Sequence, residues 1–257
     1  MELVSIIMNC HNGEQFLNQS IKSVIDQTYE NWELIFFDNQ SNDNSKKILQ
    51  SFKDKRIKYF SSNKLLDLYA ARNIAIENSK GKYIGFLDCD DVWSSNKLEE
   101  QIKFLKKNNQ YKIVYSNYFI LEEKNNQKFV KFKSKLPSGF ITQKLLDFYC
   151  IGILSVLLEK SFFKLNSFNN NYNVIGDFDY FINLSQKFEI GCVQEPLAYY
   201  RIHGNNFSLK KIDVYINELS KWIIENESKL ISNNLNLRKQ KILLLKLRIK
   251  NFLRRLF

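Results

Sequence analysis

Tyr83-Ile84-Gly85-Phe86-Leu87-Asp88-Cys89-Asp90-Asp91 joins a short apolar run to three carboxylates within four positions. A run of this length without polar alternation predicts a strand buried on both faces. Neighbouring acids at its end repel, and each raises the other's pKa unless a cation sits among them. Hard oxygen donors suit Mg²⁺ or Mn²⁺, which in turn can hold a diphosphate. The plainer alternative is a solvated acidic turn leading into a helix that begins near Ser94 or Ser95. Asp-x-Asp alone does not choose between the two; its surroundings do.

Upstream, Leu3–Asn9 is another apolar run of strand type, followed by the polar break Cys10-His11-Asn12-Gly13. Phe16, Leu17, Ile21, Val24 and Ile25 then recur at helical spacing within Glu14–Gln27. Trp32–Phe37 is a second strand, leading into Asp38-Asn39-Gln40-Ser41-Asn42-Asp43. A helix over about Asn44–Phe52, a strand over Arg56–Phe60 and a helix over Leu65–Ser79 follow, with Gly81 closing the last. Strand and helix alternating at this spacing predict an α/β fold with a mostly parallel central sheet flanked by helices. Ligands of such sheets bind beyond the carboxyl ends of the strands, where the three polar clusters fall.

The second half is less regular. Residues 111–121, 127–133 and 190–200 have strand character, 152–159 offers another strand, and Gly176–Phe188 is helical in pattern. Two helices are expected in 208–257. The expected organisation is one domain over 1–207, with a nucleotide-binding half (1–110) and an acceptor half (111–207), then a helical extension over 208–257.

A chain of 257 residues with 44% hydrophobic and 14% aromatic content can bury a sizeable core. Cys10, Cys89, Cys150 and Cys192 form no CxxC pair, which excludes common zinc spacings and predicts free thiols in a reducing compartment. The N-terminus has no signal-peptide pattern, and no run approaches the roughly 20 apolar residues of a spanning helix. A cytoplasmic protein is expected. Of the net charge of +11, the stretch Lys229–Phe257 supplies nine Lys or Arg and no acid, which leaves the rest at +2. That imbalance belongs to the tail and gives no reason to expect a nucleic-acid partner.

In order along the chain, Val4-Ser5-Ile6-Ile7, His11-Asn12-Gly13, Ser23-Val24, Gln27-Thr28-Tyr29, Glu33-Leu34-Ile35, Asp38, Ser41, Ala71-Arg72-Asn73, Gly81-Lys82-Tyr83-Ile84 and Leu87–Asp91 resemble the opening of the family 2 glycosyltransferases. The resemblance continues more loosely to about Ser208. It implies the GT-A fold, a nucleotide-sugar donor of UDP type, and inverting transfer of one sugar to a hydroxyl of a glycan or lipid-linked acceptor. The Gln-x-x-Arg-Trp signature of processive synthases is absent.

Carried over position by position, the resemblance puts Asn9, His11, Asn12, Asp38 and Ser41 around the base and ribose. Arg72 falls near the nucleotide, Asp88 at the ribose, and Asp90 on a Mn²⁺ or Mg²⁺ ion that bridges the diphosphate, with His203 assisting at the diphosphate or metal. Asp177, in Gly176-Asp177-Phe178-Asp179, is the implied base on the acceptor, and Asp179 is the competing choice. Asp91, Asp179 and Arg201 are further candidates for acceptor or diphosphate contacts. Two departures stand out: Asn39 occupies a position where a second acid is common, and Asn9-Cys10 replaces Pro-Thr or Pro-Ala.

In the tail, Ile242, Leu245, Ile249, Phe252, Leu253 and Leu256 form one helical stripe beside Lys246, Lys250 and Arg254. Apolar and purely basic faces together describe a helix lying on an anionic membrane, on the cytoplasmic face of the inner membrane in this reading. Packing on the domain or on a partner is the alternative. Two other functions remain open: a catalytically silent sugar-nucleotide-binding or scaffold protein with this fold, and a different nucleotide enzyme. The second is disfavoured by the absence of GxGxxG and of a P-loop.

Overall fold

The computed structural model describes residues 1–204, 206 and 211–256, with side chains described as far as Arg254. The expected boundary at 207/208 lies outside the described residues.

The first half alternates as its periodicity predicts: β1 (Val4–Cys10), α1 (Leu17–Ile25), β2 (Trp32–Asp38), α2 (Ser45–Ser51), β3 (Ile57–Ser61), α3 (Leu68–Glu77) and β4 (Tyr83–Phe86). β5 (Val92–Trp93), α4 (Lys97–Lys107), β6 (Ile113–Glu122), β7 (Gln127–Val130) and α5 (Thr142–Asp147) follow. The stretch expected as a strand over 152–159 divides into a single 3-10 turn, Ile153–Ser155, and a short β8 (Leu157–Glu159). The chain continues through α6 (Ser161–Leu165), α7 (Gly176–Ser185), β9 (Gly191–Ile202), α8 (Ile212–Ser232) and α9 (Arg238–Leu256).

The sheet runs β3-β2-β1-β4-β8-β6-β9-β5, with β7 on the outer part of β6. β3, β2, β1 and β4 are mutually parallel, so Cys10 lies opposite Asp38 and the acidic turn follows at the same edge. The second half is mixed: β8 runs antiparallel to β4 and β6, whereas β9 runs parallel to β6. A register shift where Asn117 meets Pro196 bends β9, the usual place for a proline within a sheet.

Both faces are covered, which is why the inner strands read as unbroken apolar runs. Val4, Ile6 and Met8 of β1 pack with α1 and α4, while Ile7 faces the larger cluster formed with α3, α5, α7 and α8. α8 is part of that cluster through Ile216, Leu219, Trp222, Ile223 and Leu230, Leu237 joins it just before α9, and α9 adds Leu244. α8 and α9 therefore share the core of the sheet. Gly81 is not the cap of α3, which ends at Glu77. It lies against β1, where a Cβ would stand 2.5 Å from the Ser5 nitrogen.

Candidate functional site

The loops at the carboxyl ends of β1 and β2 are tied together. The Asp38 carboxylate accepts the Ser41 N–H at 2.8 Å and the Tyr59 hydroxyl at 3.0 Å. Asn12 takes a positive φ of 57°, donates its N–H to Ser41 Oγ and accepts the Asn42 N–H. His11 is exposed, and its Nδ1 lies 2.9 Å from the Asn39 carbonyl oxygen. Asn39 has a role that its sequence does not announce. Its amide clamps Leu66 in both directions, accepting the N–H at 3.0 Å and donating to the carbonyl at 2.9 Å. That clamp keeps Leu65 and Leu66 in a loop, so α3 starts at Leu68. Asn9 is buried at the end of β1, and neither polar atom of its amide has a hydrogen-bond partner. A buried unpaired amide at the mouth of a ligand site is a place for a ligand group.

The acidic turn separates into three environments. Asp88 accepts from Arg72 Nη2 at 2.6 Å, and Arg72 itself is buried in α3. Asp90 Oδ2 lies 2.9 Å from His203 Nε2, although 113 residues separate them. Burial and the Asp88 charge push the Asp90 carboxyl up, and His203 draws it back. Asp91 is buried and accepts the Arg201 backbone N–H at 2.9 Å; burial first, then Asp90 and Asp88, hold its carboxyl well above the usual range. The pairing of β5 with β9 produces this arrangement by laying Tyr199 and Ala198 against Val92 and Trp93.

Arg201 is placed as a strut. Its Nε donates to the Asp90 carbonyl, its two terminal nitrogens reach Glu123 and Gln19, and its guanidinium lies over Phe16 at 4.4 Å. Phe16 also packs on His203, with ring centroids 4.9 Å apart. Cys89 is hydrogen-bonded to Cys10, which lowers the Cys10 pKa and, with burial, raises that of Cys89 well above the ordinary value. Gly13 leaves room for the pair, since a Cβ there would come within 2.9 Å of both sulfurs.

Asp177 lies in the first turn of α7, where a helix N-terminus favours a carboxylate. It accepts the Tyr69 hydroxyl at 3.1 Å. The Tyr69 ring stacks near Arg72, 5.3 Å from its guanidinium carbon, so Asp177–Tyr69–Arg72–Asp88 is a continuous chain. Burial raises the Asp177 pKa, against the opposing pull of Arg72. The start of α7 is held from behind by Glu218 of α8, whose carboxylate accepts the N–H groups of Asn173, Val174 and Ile175. Nothing in the sequence marks Glu218, one acid among many on an amphipathic helix. Asp179 points the other way and takes the Trp222 indole at 2.8 Å and Asn183 at 3.1 Å. It is not brought to the site, because residues two apart leave a helix on nearly opposite sides.

Asp177 opens on a cavity of about 640 Å³ between α5, α7, α8 and α9. Among the described residues, no three His, Cys, Asp or Glu side chains converge as a complete metal site. Asp90 and His203 supply one oxygen and one nitrogen. That partial set suits a cation completed by substrate phosphates and water, as Mg²⁺-type sites commonly are.

Residues 5–165 match Glycosyl transferase family 2. The chain is 40% identical over 183 residues to the Escherichia coli protein named UDP-Glc:alpha-D-GlcNAc-diphosphoundecaprenol beta-1,3-glucosyltransferase WfgD, covering 71% of this chain and 69% of that one. It is 32% identical to E. coli WfaP, which has the same activity in its name, over 85% of this chain and 84% of that protein. The fold is similar to that of Staphylococcus aureus TarS 1–349 in complex with UDP-GlcNAc, with a TM-score of 0.69 at 14% identity over 87% of this chain and 67% of that one.

Proposed function

Because this chain belongs to Glycosyl transferase family 2 and is a glycosyltransferase, we propose that it moves one sugar from a UDP-sugar to a hydroxyl of a lipid-linked diphosphate saccharide, with inversion. The observation that carries this reading is the continuous chain from Asp177 through Tyr69 and Arg72 to Asp88. It connects a carboxylate with a raised pKa to the acidic turn at the edge where parallel sheets bind nucleotides. The names of WfgD and WfaP supply the donor and acceptor classes.

In the mechanism, Asp38 and Asp88 position the nucleoside, and the buried Arg72 fixes the Asp88 rotamer. Asp90 and His203 would hold Mn²⁺ or Mg²⁺, which supplies Lewis-acid stabilisation of the departing diphosphate. Asp177 removes the proton from the acceptor hydroxyl as its oxygen attacks the anomeric carbon. The bond from that carbon to the nucleoside diphosphate breaks with its electron pair on the leaving oxygen. Attack opposite the leaving group inverts the centre. Arg201 and Asp91 keep the acidic turn against β9.

The exposed side of α9 supports a peripheral association with anionic membrane. Leu245, Ile249 and Phe252 are exposed beside Lys246, Lys250 and Arg254. No helix among the described residues is long and apolar enough to cross a membrane. The experiment that tests the proposed reaction is a screen of the purified chain against sugar nucleotides, read as nucleoside diphosphate release with and without a GlcNAc-diphosphate-lipid. Acceptor-stimulated UDP release supports it; release from no uridine donor overturns it.

A further inference from the structure

Two exposed ammonium groups and one buried hydroxyl line the cavity beside Asp177. Lys239 and Lys246 line it from α9, and neither has an ion-pair partner among the described residues. Lys241, on another side of the same helix, is paired with Glu227. Tyr149 also lines the cavity, and its buried hydroxyl has no hydrogen-bond partner. Burial and the nearby Asp177 charge keep that hydroxyl protonated and able to donate. A volume of about 640 Å³ is within the roughly 300–1,000 Å³ of ligand sites.

The spacing of the two cations is informative. Lys239 and Lys246 are seven residues apart, two helical turns or about 10 Å along the axis. Ile242 and Leu243 line the same cavity between them. An occupant must therefore offer hydroxyls near Asp177 and Tyr149, negative charge near the lysines, and an apolar portion beside Ile242. Ile242 also belongs to the exposed apolar stripe that continues through Leu245 and Ile249, which gives a lipid chain a way out of the cavity.

We propose that Lys239 and Lys246 bind the diphosphate of the acceptor, so that α9 forms one wall of the acceptor site. This rests on the transferase reading above and adds the residues that select a diphosphate-linked saccharide over a simple glycoside. The sugar lies at the Asp177 and Tyr149 end, the diphosphate spans the two ammonium groups, and the lipid leaves along Ile242. Asp147 is the other acid at the cavity, and its carboxylate accepts from Gln143.

The test is binding of two synthetic ligands to the full chain in neutral detergent without anionic lipid: dodecyl-diphosphoryl GlcNAc and dodecyl GlcNAc lacking the diphosphate. Wild type should bind the first at least about tenfold more tightly, since charged hydrogen bonds are the strong ones. Lys239→Ala with Lys246→Ala should remove that preference, and the Lys→Arg pair should keep it. Lys106→Ala with Lys107→Ala, an equal charge loss on the exposed end of α4, should also keep it. Equal affinity of wild type for both ligands, or an unchanged preference in the double Ala variant, overturns the proposal. Neither result touches UDP release from the donor, which tests the transferase reading separately.

Discussion

The Tyr69 hydroxyl donates to Asp177 Oδ1 at 3.1 Å, and through this contact α3, in the first half of the chain, holds a carboxylate of α7, in the second. Tyr69 lies three residues before Arg72 on α3, and Arg72 holds Asp88. One helical face thus sets both ends of the site, a consequence of side chains three apart facing the same way.

Asp177→Asn preserves volume and still accepts from Tyr69. Transfer should fall by about 10²–10⁴-fold, the usual contribution of a general base, with UDP binding unchanged by calorimetry. Burial raises the Asp177 pKa in the folded chain above its unfolded value. The stability it contributes is full below the unfolded value and is lost as pH rises through the folded one. At neutral pH the charge is a net cost, so the Asn variant should melt at the same temperature as wild type or higher. Normal turnover by this variant would assign the base elsewhere.

Tyr69→Phe removes a hydrogen bond that favours the charged form of Asp177. The Asp177 pKa should rise further, and the acid limb of kcat/KM should move to higher pH, starting in wild type from above the usual aspartate value of about 4. Protonation disables a base, so activity is lost on the acidic side. A limb that stays in place or moves down would separate Tyr69 from the titrating group.

Chelation should abolish donor turnover, and Mn²⁺ or Mg²⁺ should restore it. Asp90→Asn should need roughly tenfold more metal or greater for half-maximal rate, measured by titration of activity. Full rate in chelator would remove the metal role from Asp90 and His203 together.

On α9, Leu245, Ile249 and Phe252 are 58%, 52% and 62% exposed, so replacing all three with Ser should leave the melting temperature near wild type. Flotation with vesicles of anionic phospholipid should then lose the protein to the soluble fraction. Truncating the whole helix is the poorer experiment, because Gln240 is buried and Leu244 lies in the core. Undiminished flotation of the triple variant would show that this face is not the docking surface.

The parallel half of the sheet was legible because β1, β2 and β4 are unbroken apolar runs that end in polar clusters. The mixed second half was less so. β8 has three residues, and its place between β4 and β6 depends on strands far away in sequence. The same holds within the site. Asp88, Asp90 and Asp177 stand out by residue type and position, and the structure brings His203 to Asp90 as a nearest partner. Arg201, Asn39 and Glu218 carry roles that only long-range pairing creates: a strut, a loop clamp and a helix anchor. The packing of the tail was less legible than its helices. Its basic, amphipathic pattern marks a helix with one charged side, and the other side helps close the core through Leu244.

Gly176 stands immediately before Asp177, and a Cβ there would fall 2.5 Å from the Tyr69 ring. The aromatic ring occupies the space that any other residue would claim for its own first carbon. α3 and α7 therefore meet at a mechanical stop. The polar contacts along Asp177–Tyr69–Arg72–Asp88 can stretch and be retuned, whereas hard contact cannot be compressed. The span from Asp177 to the acidic turn is gauged by the thickness of one ring, and it survives changes in protonation that would slacken every polar link.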